Sequence, residues 1–357
     1  MSDREKAGLR GPVRTCIEES NLPYGGKYST TREYSPDGRL LATHTPNSDG
    51  SEWLSTRTYH ADGRLAKISS GKVGGPVSET LYAYDEAGRL LSITNSPEEG
   101  GRTDFRYDEQ GRKTTIQTFD PKTLDRAERT IFSGSPWDAA AVAGVGVPVG
   151  GKIITIYDQN DQPAEAQIRD AQDRIVNRHV RTYDANGRVA EEKPIWENPS
   201  LLMLEKFPDE QRQMSQEQIA QLNKTMGAFL VGKSPAGTTY TYDSQNRITN
   251  VHERNMVFER TTTTIYNDQG DKVEERSTLK ENSIVPVGVS VSIDENGMHV
   301  PPEAAAQVSP LAAVPEKDEI HFAYQYDSYG NWIEQTANYG TGPNARTDVR
   351  RRTLTYY

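Results

Sequence analysis

The sequence predicts an all-β fold: a curled, continuous antiparallel sheet of β-hairpin repeats, shell-like or solenoid-like, with one helical insertion. Three observations predict it. A seven-residue segment led by tyrosine recurs along the chain, with tyrosines 23 to 26 residues apart wherever copies run uninterrupted. Strand-like alternation resumes after most copies, as in Arg89-Leu90-Leu91-Ser92-Ile93-Thr94. The composition is too polar for a thick core, with 34% hydrophobic residues, yet its 18 Tyr, 7 Phe and 4 Trp are too many for a disordered chain. Thin, half-exposed sheets suit such a composition, because each strand then buries one face.

The fullest copy is Tyr84-Asp85-Glu86-Ala87-Gly88-Arg89-Leu90, and related segments begin at Tyr34, Tyr59, Tyr107, Tyr157, Tyr183, Tyr242, Tyr266 and Tyr326. A tenth, Ile293-Asp294-Glu295-Asn296-Gly297-Met298, lacks the tyrosine. Two strands and two turns account for the period, so the unit is one hairpin with its return connection. The aspartate opens the turn, where its carboxylate accepts backbone N–H groups further on. The glycine three residues later supplies the left-handed residue of a type I turn followed by a bulge. Asp85, Gly88, Asp108, Gly111, Asp184, Gly187, Asp327 and Gly330 are assigned these turn roles. Asp161 and Asn246 replace the glycine in two copies, and both types tolerate positive φ. Asp170-Ala171-Gln172-Asp173-Arg174-Ile175 lies half a period out of phase and reads as a return turn.

One repeat domain is expected over 1–357, with insertions at about 133–152 (a Gly/Ala/Val loop), 194–237 (helical) and 282–317 (rich in Pro and Val, with the degenerate hairpin). The tyrosine intervals across them are 50, 59 and 60 residues, each about two periods, which predicts one hidden hairpin in each. Ile219, Leu222, Met226, Phe229 and Leu230 recur at helical spacing. Pro208-Asp209 offers one helix start, and Ser215 with Gln218 an alternative capping box. The apolar stripe of this helix is expected against the sheet. Leu9 to Glu18 alternates like a strand and is expected to pair near Tyr356, shielding a sheet edge.

The repeat resembles the YD-repeat region of the Rhs family, whose signature is Tyr-Asp-x-x-Gly-Arg-Leu, and the likeness runs over roughly residues 30 to 357. The resemblance implies hairpins wound side by side into a β-shell, often with a toxin domain following. Asp-Pro-x-Gly-Leu, which ends the family core at a self-cleavage point, is absent, since the one Asp-Pro, Asp120-Pro121, continues as Lys122-Thr123. Arg351 to Tyr357 reads as one more strand. The repeat region without a C-terminal toxin domain is therefore expected.

Net charge and motif content bound the function. A formal charge of -10 argues against a nucleic-acid groove, which needs clustered Lys and Arg. No apolar run is long enough for a membrane helix. Met1 to Thr15 is polar and charged, unlike a signal peptide. Cys16 is the only cysteine, which excludes an intrachain disulfide. Gly146 to Lys152 fails as a phosphate loop, because Ile153 stands where Ser or Thr would hold magnesium. The six histidines (44, 60, 179, 252, 299 and 321) are scattered, and no nucleophile elbow occurs. No cofactor or metal is expected, and the chain is expected not to be an enzyme. A carboxylate pair for glycoside hydrolysis stays as the least favoured alternative.

The repeat tyrosines read as a structural ladder. Aromatics outside the pattern, Trp53, Trp137, Trp196, Trp332, Tyr329 and Tyr339, are the candidates for a binding surface. The leading expectation is a non-catalytic scaffold of the cell envelope or exterior, binding a glycan or protein partner, a compartment implied by the resemblance. The alternative is a partner or remnant of a polymorphic toxin system, forming part of a β-shell. A cytoplasmic location stays open, and nothing in the sequence sets the oligomeric state.

Overall fold

The computed structural model describes residues 1–21, 27–47, 49–96, 101–119, 147–148, 150–198, 200, 215–231, 236–254, 258–281, 292–294, 297–299, 317–340 and 345–357. These group into two compact units, Met1–Glu99 with Thr264–Arg276 and Asp318–Tyr357, and Gly100–Thr263 with Ser277–Lys317.

The first unit opens with a one-turn helix α1 (Asp3–Lys6), then β1 (Val13–Asn21), β2 (Lys27–Tyr34), β3 (Leu40–Pro46), β4 (Glu52–Tyr59), β5 (Leu65–Lys72), β6 (Val77–Tyr84) and β7 (Leu90–Asn95). The second contains β8 (Arg102–Tyr107), β9 (Lys113–Thr118), β10 (Lys152–Tyr157), β11 (Pro163–Arg169), β12 (Ile175–Tyr183), β13 (Val189–Trp196), helix α2 (Gln216–Val231), β14 (Gly237–Tyr242) and β15 (Ile248–Arg254). Further on come β16 (Phe258–Tyr266), β17 (Lys272–Glu281), a short pair β18 (Ser292–Asp294) and β19 (Gly297–His299), then β20 (Lys317–Tyr326), β21 (Trp332–Tyr339) and β22 (Arg346–Tyr356). Each repeat tyrosine is the last residue of its strand.

Twenty strands belong to one sheet, and β18–β19 form a separate two-stranded one. Paired strands are antiparallel, and in most repeat hairpins the ladder shifts by a residue at the tyrosine, between Ala83 and Tyr84 for example, as a bulge after the turn requires; the Tyr107 hairpin runs in continuous register. Left-handed backbone falls on the predicted residues, with φ of 83° at Gly88, 59° at Asp161 and 63° at Asn246, and also 67° at Asp173 in the return turn.

The all-β antiparallel architecture stands, and its solenoid-like form is corrected. In a solenoid the first and last strands are edges, whereas here β1 pairs with β2 on one side and with β22 on the other, Val13 opposite Tyr356. Neither side of β1 is therefore an edge, and the pairing expected for Leu9 to Glu18 is found. β9 pairs directly with β10, and β13 directly with β14, so no ladder strand lies between them. The stretches 120–146 and 201–214, where the first two hidden hairpins are expected, lie outside the described residues. The third interval does contain a hairpin, β18–β19, with Asp294 opposite Gly297.

Helix α2 begins at Gln216, and its cap is the box at Ser215: Gln218 N donates to Ser215 Oγ at 3.2 Å and Ser215 N to Gln218 Oε1 at 2.7 Å. Residues 201–214, with the other predicted start, and most of the apolar stripe's side chains lie outside the described residues. Asn223 ties the helix down, accepting from Ser200 N at 3.0 Å and donating to Asn198 Oδ1 at 3.2 Å.

Burial is concentrated in two clusters. In the first unit Leu9, Val13, Cys16 and Tyr34 are buried together, with Leu40, Leu354 and Tyr356 against them. In the second, Val147, Ile153, Ala166, Ile168 and Val176 are buried with Phe119 and Trp196 packed on them.

Candidate functional site

The repeat motif is the most chemically organised part of the molecule. In the turn after Tyr84, Asp85 N donates to Arg89 O at 2.9 Å, and Gly88 N donates to Asp85 O at 2.9 Å. The Asp85 carboxylate accepts from Arg89 N and from Arg89 Nε, each at 2.7 Å. These bonds from Arg89 hold the Asp85 carboxyl below the usual range. The same set recurs at Asp108 with Arg112, Asp184 with Arg188, and Asp243 with Arg247. The return turn repeats it with Asp170 and Arg174. At Asp327 the acceptor role is kept, taking Tyr329 N and Asn331 N at 2.9 Å, but the arginine is replaced by Asn331.

Consecutive hairpins are joined through the tyrosine. Tyr84 Oη donates to Leu65 O at 2.9 Å, the residue just past the preceding turn, and the Arg64 guanidinium of that turn lies 4.6 Å from the Tyr84 ring centroid. Tyr59 does the same with Leu40 O at 2.7 Å and Arg39 at 5.4 Å, and Tyr242 with Val189 O at 2.8 Å and Arg188 at 4.5 Å. Gly88 is needed twice over: its φ suits glycine, and an added Cβ would stand 3.0 Å from Arg64. Arginine thus closes its own turn and covers the next tyrosine, a role the motif's spacing alone did not signal.

A family model, RHS Repeat, matches residues 84–123, which contain the turns at Asp85 and Asp108. These residues thus carry an Rhs-type repeat. No curated protein matches the chain. Solved structures similar to it include a porin-like protein from Bacteroides uniformis ATCC 8492, at 9% identity and TM-score 0.35, covering 97% of this chain and 98% of that one. A TcdB2-TccC3-Cdc42 structure gives 14% identity and TM-score 0.27, covering 92% of this chain and 19% of that one. A porin-like protein from Bacteroides vulgatus ATCC 8482 gives 6% and 0.23, with coverage of 97% and 99%. None superposes closely enough to carry function across.

Each described non-motif aromatic has surroundings of its own. Trp53 on β4 is 44% exposed, between Thr45 and Lys72 on its neighbouring strands. Trp332 lies under the Arg352 guanidinium at 3.5 Å, and Tyr339 under Arg346 at 4.2 Å. Tyr329 stacks on Tyr356 with centroids 4.5 Å apart and keeps an exposed face. Trp196 packs on the Ile168 cluster. Trp137 lies outside the described residues.

Two polar features were not signalled by sequence. Glu274 on β17 and Glu319 and His321 on β20 bring three potential metal-ligating groups close together, the one such group among the described residues. His321 Nε2 lies 3.0 Å from Glu319 Oε1, and Arg276 Nε reaches Glu274 Oε1 at 2.5 Å and Glu319 Oε1 at 3.2 Å. A guanidinium already placed between both carboxylates makes this an ion-pair cluster, since a cation would have to displace it. Forty-odd residues separate its members, so only the β17–β20 pairing brings them together. The second feature is on β12, where Asn177 is 1% exposed with neither amide atom hydrogen-bonded. His179, two residues on and on the same face, is lowered to about 4 by burial and stays neutral. No helix among the described residues is long and apolar enough to cross a membrane.

Proposed function

We propose that the chain is a non-catalytic Rhs-repeat scaffold of the cell envelope or exterior that presents its sheet to a protein or glycan partner. The observation that carries this reading is the engagement of the motif's own reactive side chains. The aspartates close turns, the arginines bind those aspartates, and the hydroxyls of Tyr59, Tyr84, Tyr183 and Tyr242 donate to the backbone of the preceding hairpin, while that of Tyr326 donates to Asp271. Groups spent on joining hairpins are not poised for proton transfer or attack, which need a free partner of matched pKa.

Within this reading Trp53 is the contact residue. Its ring is open where Trp332 and Tyr339 are covered by arginines, and a flat exposed indole suits the apolar face of a sugar or a partner side chain.

The test is a pull-down of the tagged protein from its native host, with bound proteins and glycans identified by mass spectrometry, beside the same experiment on Trp53→Ala. A stoichiometric protein or an enriched polysaccharide, reduced by the substitution, supports the scaffold. A toxin-like partner moves the reading to part of a toxin-system shell. Recovery of neither removes the binding proposal.

A further inference from the structure

The β1–β22 strand pair has the anatomy of the repeat hairpin, with no turn joining its strands. Residue by residue the correspondence with the turn after Tyr84 is close. Tyr84 pairs with Leu90 after a register shift that skips Leu91, and Tyr356 pairs with Val13 after a shift that skips Arg14. Asp85 N donates to Arg89 O at 2.9 Å, and Tyr357 N donates to Pro12 O at 3.1 Å. Gly88 has φ 83°, and Gly11 has φ 70°. The link to the preceding hairpin is present as well. Tyr326 Oη donates to Asp271 and accepts from Asn267 of the turn before it, each at 2.8 Å. Tyr356 Oη donates to Asp327 and accepts from Asn331 Nδ2 at 3.0 Å, the equivalent residues of its own preceding turn.

Here the two halves of the hairpin are far apart in sequence: Glu18 and Arg352, bonded at 3.1 Å, are 334 residues apart. The covalent hairpins close loops of a few residues, and this one closes a loop of several hundred. That costs more chain entropy, which grows with loop length. Extra contacts offset it. The buried cluster of the first unit, Leu9, Val13, Cys16 and Tyr34, sits here. Arg10 donates to Gly330 O at 2.8 Å and Gln269 O at 2.7 Å, and Asp3 accepts from Leu40 N at 3.0 Å. Residues 3 to 13 therefore strap across the turns on either side.

We infer that β1 and β22 form a further, split copy of the repeat hairpin, and that β1 with its leading strap is a clasp that releases as a unit while the covalently closed hairpins remain paired. The strands are held by complementary charge: Glu18 lies between Arg352 and Arg32, the latter at 3.6 Å. Release uncovers Cys16, which is 1% exposed and belongs to β1 itself. Burial raises its thiol pKa, so in the closed state it is both covered and protonated.

Cys16 makes the clasp measurable in the unmodified protein. Thiol labelling is followed against denaturant concentration, alongside amide hydrogen exchange of β1, β22 and β4 to β6. The expected result is labelling roughly tenfold or more faster than global unfolding allows, with a weaker denaturant dependence. The amides of β1, and those of β22 that face it, should exchange ahead of β4 to β6. Glu18→Gln should speed labelling without changing exchange in β4 to β6. Labelling that tracks global unfolding in rate and denaturant dependence, or a Glu18→Gln effect shared equally by all strands, overturns the inference.

Discussion

The links at Tyr84 and at Tyr326 join hairpins of the same backbone by different chemistry. At Tyr84 the hydroxyl donates to a backbone carbonyl, Leu65 O, while Arg64 covers the ring. At Tyr326 the preceding turn has Asp271 where an arginine would stand, and the hydroxyl donates to that carboxylate while Asn267 donates back to it. The first link spreads over a ring face and a neutral carbonyl. The second is concentrated in one charge-assisted hydrogen bond, stronger per bond and dependent on protonation. The difference teaches that the repeat preserves a place for the tyrosine and leaves open what holds it.

Removing the acceptor should have the largest effect. Asp327→Ala takes acceptors from Tyr329 N, Asn331 N and Tyr356 Oη at once, and is expected to cost about 3 kcal/mol in chemical denaturation. Asp85→Ala, which leaves no tyrosine hydroxyl unpaired, should cost only about 1 kcal/mol. Equal losses would break the distinction. Next come the hydroxyls themselves, with Tyr326→Phe expected to cost about 2 kcal/mol and Tyr84→Phe about 1 kcal/mol.

A smaller effect should appear in alkali. Tyr326 and Tyr356 are pushed up to about 12 from 10, first by burial and then by the carboxylates they bond. A raised pKa means that the folded state holds its proton more tightly. The contribution is therefore complete below pH 10 and is lost as pH climbs through the folded values near 12. Stability curves followed with phenolate absorbance should show this fall, and Tyr326→Phe should flatten it. The smallest effect belongs to Arg64→Gln, about 0.5 to 1 kcal/mol for the ring contact, with no matching change at Tyr326.

Most of the framework was legible. Tyrosine followed by a turn residue and a glycine marks a strand end because the turn's backbone demands it, and Asp161 and Asn246 were readable as exceptions on the same ground. Val13 pairing with Tyr356 followed from alternation near both ends. The doubled intervals could not say whether their extra chain joins the ladder, because an insertion and an added ladder hairpin have the same length; the β9–β10 and β13–β14 pairings show that no ladder strand intervenes there. Candidate contact residues were readable by type, but their cover was not: Arg352 reaches Trp332 from another strand.

The reach of the motif arginine has a consequence for how such a chain changes over generations. Arg64 and Arg39 touch the tyrosine of the next hairpin, and Arg188 touches that tyrosine and bonds Asp243 O and Asn246 of the same hairpin's turn. A duplicated hairpin would meet on each side the partners its parent had, so copies could be gained or lost by unequal recombination without new contacts being invented. Repeat number is then free to drift, and selection on length falls on whatever must still bring Val13 opposite Tyr356.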